Sequence, residues 1–201
     1  MAVISTFELL VKPQLPKEDK LPPGLPSNLL GKIEQLRRNA IQGYFLTLAN
    51  LGSRDLLLSL VFTVSNVTDI GKVVSFVDTS ASDDSLGSLV PTMVGNKFRF
   101  SPLNLATGDT ALFLLQPNFL TFPELLVNTD LEIRGYVEIF LSSMSGSPRN
   151  AQIQVTPEHR GTFYKFNEED PDTLFSLDQY AYSLPTQNGG LIRLNPSEGG
   201  A

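Results

Sequence analysis

The chain has 201 residues, of which 41% are hydrophobic and 18% charged, with a formal net charge of -6 and no cysteine. That length supports one domain with a substantial core plus an arm. The acidic balance, with Arg37-Arg38 the only adjacent basic pair, argues against a nucleic-acid partner, and the lack of cysteine removes disulfides, thiolate nucleophiles and thiolate metal ligands together.

Val3 to Val11 reads as one strand, with Val3, Phe7, Leu9 and Val11 on a single apolar face. Prolines 13, 16, 22, 23 and 26 follow it. A strand on a leash needs a sheet to pair with, because its N–H and C=O groups have no partners of their own. The tether from Lys12 to Ser27, 16 residues, spans about 50 Å in the polyproline conformation. A domain of this size is roughly 40 Å across, so the arm can reach a neighbouring copy. Folding back as the first strand of its own sheet is the alternative. The expected organisation is an arm and tether at 1–28, a domain at 29–195 and a loose tail at 196–201.

No basic leader precedes the first apolar run, which Ser5, Thr6 and Glu8 interrupt, and Leu56 to Val64 is too short to span a bilayer. The expectation is a cytoplasmic protein with no membrane insertion, export by a route without a signal being left open.

After the tether, Leu29, Ile33, Leu36 and Ala40 recur near helical spacing, behind Ser27 or Asn28 as cap. A short helix over Leu29 to Ile41 or irregular coil both satisfy this pattern. From Gly43 the period becomes strand-like. Tyr44–Ala49 and Leu56–Val64 flank the turn Asn50-Leu51-Gly52-Ser53 and read as a hairpin. Leu56–Val64 is apolar on both faces, as in a sheet covered on both sides. Further strands are expected at Lys72–Val77, Lys97–Phe100 and Thr110–Leu115, with a polar loop at Thr79–Ser88 and a crossing loop at Gln116–Val127. Leu131–Leu141 alternates most clearly, and Ala151–Val155 would pair with it through the loop Ser142–Asn150. Gly161–Phe166 and Leu191–Leu194 complete the set. Many short strands with regular turns predict an all-β, antiparallel β-sandwich, Ig-like or jelly-roll-like, with room for one short helix.

Chemistry is sparse. His159, the single histidine, lies in Pro157-Glu158-His159-Arg160-Gly161 and reads as a solvated turn; a general base is the sharper alternative. Glu168-Glu169-Asp170 with Asp172 lacks the alternating spacing of a calcium loop. Glu132 and Glu138, six residues apart on one strand face, are roughly 20 Å apart and too distant for glycoside hydrolysis. No phosphate loop, H-E-x-x-H or G-x-S-x-G occurs, so no catalytic residue, metal or cofactor is expected. Glu132, Arg134, Tyr136 and Glu138, with Gln152 and Gln154, form either a recognition face for a carbohydrate or peptide or an ordinary solvated sheet face. The absence of tryptophan counts against sugar stacking. The leading expectation is a non-enzymatic structural protein that forms a homo-oligomer, closed or filamentous, through its arm. A carbohydrate- or peptide-binding module is the alternative.

Overall fold

The computed structural model describes residues 1–16, 20–79, 82–87, 89–142, 150–166 and 174–195. In chain order these form β1 (Ala2–Pro13), α1 (Ser27–Leu36), β2 (Asn39–Asn50), β3 (Leu56–Val64), β4 (Val73–Thr79), β5 (Ser82–Gly87), β6 (Val90–Pro91), β7 (Lys97–Leu105), β8 (Thr110–Pro117), α2 (Leu125–Asn128), β9 (Leu131–Leu141), β10 (Ala151–Phe166), β11 (Leu174–Ser183) and β12 (Leu191–Leu194). The acidic cluster at 168–172 and the tail at 196–201 lie outside the described residues.

The chain is all-β and antiparallel, but the expected two-sheet sandwich gives way to one continuous sheet of 12 strands curled into a half-barrel. The order runs β5-β4-β8-β2-β1-β9-β3-β7-β6, and β10 lies on β2 with β11 and β12 beyond it. β2 is what keeps the sheet in one piece. β10 follows one of its edges from Asn39 to Asn50, while β1 takes the other edge at Asn39–Gln42 and β8 takes it at Tyr44–Ala49. The changeover falls at Gly43, where a Cβ would come within 3.2 Å of the Leu115 carbonyl oxygen and of the Phe45 ring. From this point β1 and β8 diverge, and the inner faces of the two halves close over a shared core.

Phe7, Tyr44, Phe62, Phe113 and Phe100 link those halves through ring pairs with centroids 5.1 to 6.3 Å apart, spacings at which aromatic pairs attract beyond their buried area. Phe7 fits because Gly135 lies opposite it: a Cβ at Gly135 would be 2.9 Å from the Phe7 ring and 1.9 Å from the Thr63 carbonyl oxygen.

Several expected pairings are corrected. Asn50–Ser53 is a turn but not a hairpin, since β2 and β3 do not pair. It carries the chain from one half of the sheet to the other. The buried Asn50 pins this corner, its Nδ2 donating to the carbonyls of Arg54 (2.9 Å), Leu105 (3.2 Å) and Ala106 (3.0 Å) while its Oδ1 accepts from Gly52 N–H (3.0 Å). β9 pairs with β1 and β3, and β10 with β2, β11 and β12, so they are not a hairpin either. Alternation reports which face a residue takes, and it is silent on which strand lies alongside. β5 forms inside the segment expected as a polar loop, and β6 and β11 are strands the sequence did not announce.

Pro157–Gly161 is the interior of the long strand β10, where a turn was expected. Pro157 is tolerated because its ring nitrogen faces the edge where β12 has ended, at Gln154, and β11 begins pairing, at Glu158. Its carbonyl on that edge still accepts from Leu184 N–H at 2.9 Å. A missing N–H costs nothing where no acceptor stands opposite.

Candidate functional site

β1 lies within its own chain's sheet. It pairs with β9 from Ala2 to Val11 and with β2 over its last four residues, Leu10–Pro13. Phe7, Leu9 and Val11 are buried, as the shared face predicts, but Val3 is 46% exposed. A bulge between Val3 and Ser5 shifts the register, so Ile4 and Ser5 turn inward where Val3 was expected. The connection to β2 starts and ends at one point: Pro13 lies opposite Asn39, and Gln14 N–H donates to the Arg38 carbonyl at 2.7 Å. Residues 14–38 therefore form an excursion off a hairpin. α1 rides on it with no buried residue, Leu36 being 68% exposed.

Where β1 parts from β2, the backbone of Glu8 loses its strand partner on that edge, and side chains replace it. Glu8 N–H donates to His159 Nε2 at 3.0 Å, and the Glu8 carbonyl accepts from Gln42 Nε2 at 3.2 Å. The acceptor role of Nε2 puts the ring proton of the neutral imidazole on Nδ1, which donates to Tyr182 Oη at 2.9 Å. The hydroxyls of Tyr182 (3.4 Å) and Tyr180 (3.0 Å) then both donate to Gln42 Oε1. Every polar group of this cluster has a role consistent with its neighbours. Burial holds the His159 pKa below its ordinary value, against the opposing pull of the Glu8 carboxylate. Burial first, and Tyr182 and Glu8 after it, push the Tyr180 phenol up to about 12, so it stays a donor at neutral pH.

Three strands build this cluster with the same i, i+2 spacing: Gln42 and Tyr44 on β2, His159 and Gly161 on β10, Tyr180 and Tyr182 on β11. The register aligns them, His159 opposite Tyr44 and Tyr182, and Gly161 opposite Gln42 and Tyr180. Gly161 leaves room for the Tyr180 ring, which a Cβ there would meet at 2.3 Å. The expected solvated turn is thus corrected: His159 is 5% exposed. Among the described residues no hydroxyl nucleophile is activated by it, because its acceptor nitrogen is taken by a backbone amide. The signal was present, since Ala151, Ile153, Val155, Pro157 and His159 alternate inward without interruption.

The expected recognition face is divided. Glu132, Arg134 and Tyr136 stand together on the outer face of β9, but Gln152 and Gln154 sit on β10, with β1 and β2 between. Gln154 Nε2 donates to the Gly189 carbonyl at 2.8 Å. Arg134 pairs with Glu8 (2.6 Å) and Glu132 (2.8 Å), and Glu132 also pairs with Lys12. Glu138 is buried and pairs with Lys97 at 2.7 Å, a hydrogen bond that raises the lysine's pKa. Of this face, Tyr136 presents an exposed aromatic ring.

A groove of about 570 Å³ opens on the other side of the β8-β2-β10-β11 region, with Gly43 in its lining and Phe45, Phe119 and Tyr180 beside it. The Arg160 guanidinium covers the Phe45 ring at 4.7 Å and is held by Glu158 at 2.7 and 2.9 Å. Among the described residues, no group of three or more His, Asp or Glu side chains is placed to hold a metal ion, and no helix is long and apolar enough to cross a membrane. Compared with known proteins, the chain matches no protein-family model and no curated protein sequence.

Proposed function

We propose that this chain is a non-enzymatic structural protein whose copies assemble by exchanging β1. The observation that carries this reading is the contrast between β1 and its connection. β1 contributes Phe7, Leu9 and Val11 to the core, yet the excursion at 14–38 that joins it to β2 places no residue of α1 in that core. A neighbouring copy's β1 can make every hydrogen bond and buried contact of the resident one, and α1, with no buried residue, has little packing to lose. Reciprocal exchange closes a dimer, and head-to-tail exchange extends a filament. The test is light scattering across a dilution series of the full-length chain, after incubation at high concentration. Slowly interconverting multimers support exchange, and monomer at every concentration overturns it.

A second reading, a binding module for a carbohydrate or peptide, is favoured by the groove beside Phe45 and Phe119. Its test is a glycan and peptide array, on which hits lost in Phe119→Ala support it and an empty array removes it.

A further inference from the structure

The assembly reading does not explain why a buried imidazole, the chain's one histidine, caps a backbone amide of β1. We infer that His159 is an acid-operated latch on β1, in which the neutral ring holds the Glu8 amide and the protonated ring releases it.

The argument rests on donor and acceptor count. Glu8 N–H needs an acceptor on the edge where β2 has turned away, and His159 Nε2 supplies it at 3.0 Å. Protonation places the ring's second N–H on that nitrogen. Two donors then face each other in a part-buried site, and an amide shielded from water and left without an acceptor is costly. The other nitrogen offers no escape, because Nδ1 already donates to Tyr182 Oη at 2.9 Å and lies 3.4 Å from Gln42 Nε2, also a donor.

The groups facing the ring from each packed element can be stated. β1 presents the Glu8 carboxylate, engaged by Arg134 of β9 and by Gln42 Nε2 at 3.3 Å. β2 presents Gln42 and Tyr44, whose ring centroid is 6.4 Å away, and β11 presents Tyr180 and Tyr182. On β10 itself, Glu158 and Arg160 point to the opposite face and bond each other. Among the described residues, the anion near the ring is thus Glu8. An imidazolium would be drawn to its carboxylate and away from the amide, which moves the ring in the releasing direction.

The sign of the pH effect follows. The unfolded chain takes up this proton near pH 6.5, and burial lowers the value in the folded chain. The latch is therefore fully closed above about pH 6.5 and opens as the pH falls through the folded value. β9 still holds the other edge of β1, so acid loosens one side of the strand without unfolding the sheet. That acid also speeds exchange between copies rests on the assembly reading; the latch does not.

The experiment is amide hydrogen exchange of residues 5–9, corrected for intrinsic rates, at pH 7.5 and pH 5, alongside NMR titration of the single imidazole. The latch predicts that protection of Glu8 falls at least about tenfold at the lower pH relative to β3 amides, with a midpoint matching the imidazole's titration. His159→Gln retains an acceptor that does not titrate, so its protection should be the same at both pH values. Equal protection of the unaltered chain at both pH values overturns the latch, as does an equal acid loss in His159→Gln. Both results concern β1 within one chain, so they are distinguishable from a failure of exchange, which light scattering reads.

Discussion

Phe7 and Val3 lie on the same face by alternation alone, and the bulge between Val3 and Ser5 separates their fates. Phe7 is 2% exposed and packs its ring 5.4 Å from Phe62 and 6.0 Å from Tyr44. Truncating a phenylalanine so placed typically costs about 3–5 kcal/mol, transfer and cavity together. Val3 is 46% exposed, and a surface truncation stays within about 0.5 kcal/mol. With a urea slope of about 2 kcal/mol/M, Phe7→Ala should lower the unfolding midpoint by roughly 1.5–2.5 M and Val3→Ala by roughly 0.25 M or less. The assay is urea unfolding followed by far-UV circular dichroism. If Val3→Ala costs as much as Phe7→Ala, Val3 is buried, β1 runs without its bulge, and the inward position of Ile4 is wrong.

Asn50→Ala strips the corner between β2 and β3 of a side chain that serves three carbonyls and one amide. Because at least one of these groups is buried, the expected loss is about 1–3 kcal/mol, and an unchanged thermal midpoint would show that the corner holds without it. Gly135→Ala drives a Cβ to 1.9 Å from a backbone oxygen that cannot step aside, so it should abolish the soluble fold. Gly31→Ala meets nothing within 4 Å in α1 and should be neutral or stabilise by up to about 1 kcal/mol; soluble yield checks the first substitution and a thermal melt followed by circular dichroism the second.

Strand faces were legible in the sequence wherever alternation was unbroken. β9 is read end to end from Leu131 to Leu141, and β12 from Leu191 to Leu194. Partners were not legible, because β9 and β10 present the same alternation whether adjacent to each other or separated by β1 and β2. Local chemistry misled at Pro157–Gly161, where proline and glycine around charged residues resemble a turn. The proline is accommodated by a gap between β12 and β11, a tertiary fact with no local trace. β11 carries Tyr180 and Tyr182, half of the cluster around Gln42 and His159, and its Tyr-Ala-Tyr spacing has meaning only once His159 is known to face inward. The bulge at Val3 likewise has no signature in a run of residues that all suit a strand.

The central claim is that β1 can be seated in a neighbouring copy, and a cysteine-free chain allows it to be tested with a single introduced pair. Thr6 and Tyr136 are register partners on β1 and β9, both exposed. Since the backbone of Glu8, two residues along, turns away from β9 toward His159 and Gln42, Thr6 and Tyr136 occupy a closely spaced, non-hydrogen-bonded pair suited to a disulfide. The doubly substituted chain, Thr6→Cys with Tyr136→Cys, would be incubated at high concentration, oxidised, and run on a denaturing gel without reductant. Covalent dimers or a ladder, absent from either single substitution under the same oxidation, are the result the account predicts. Quantitative closure within single chains, at every concentration and incubation time, would contradict it.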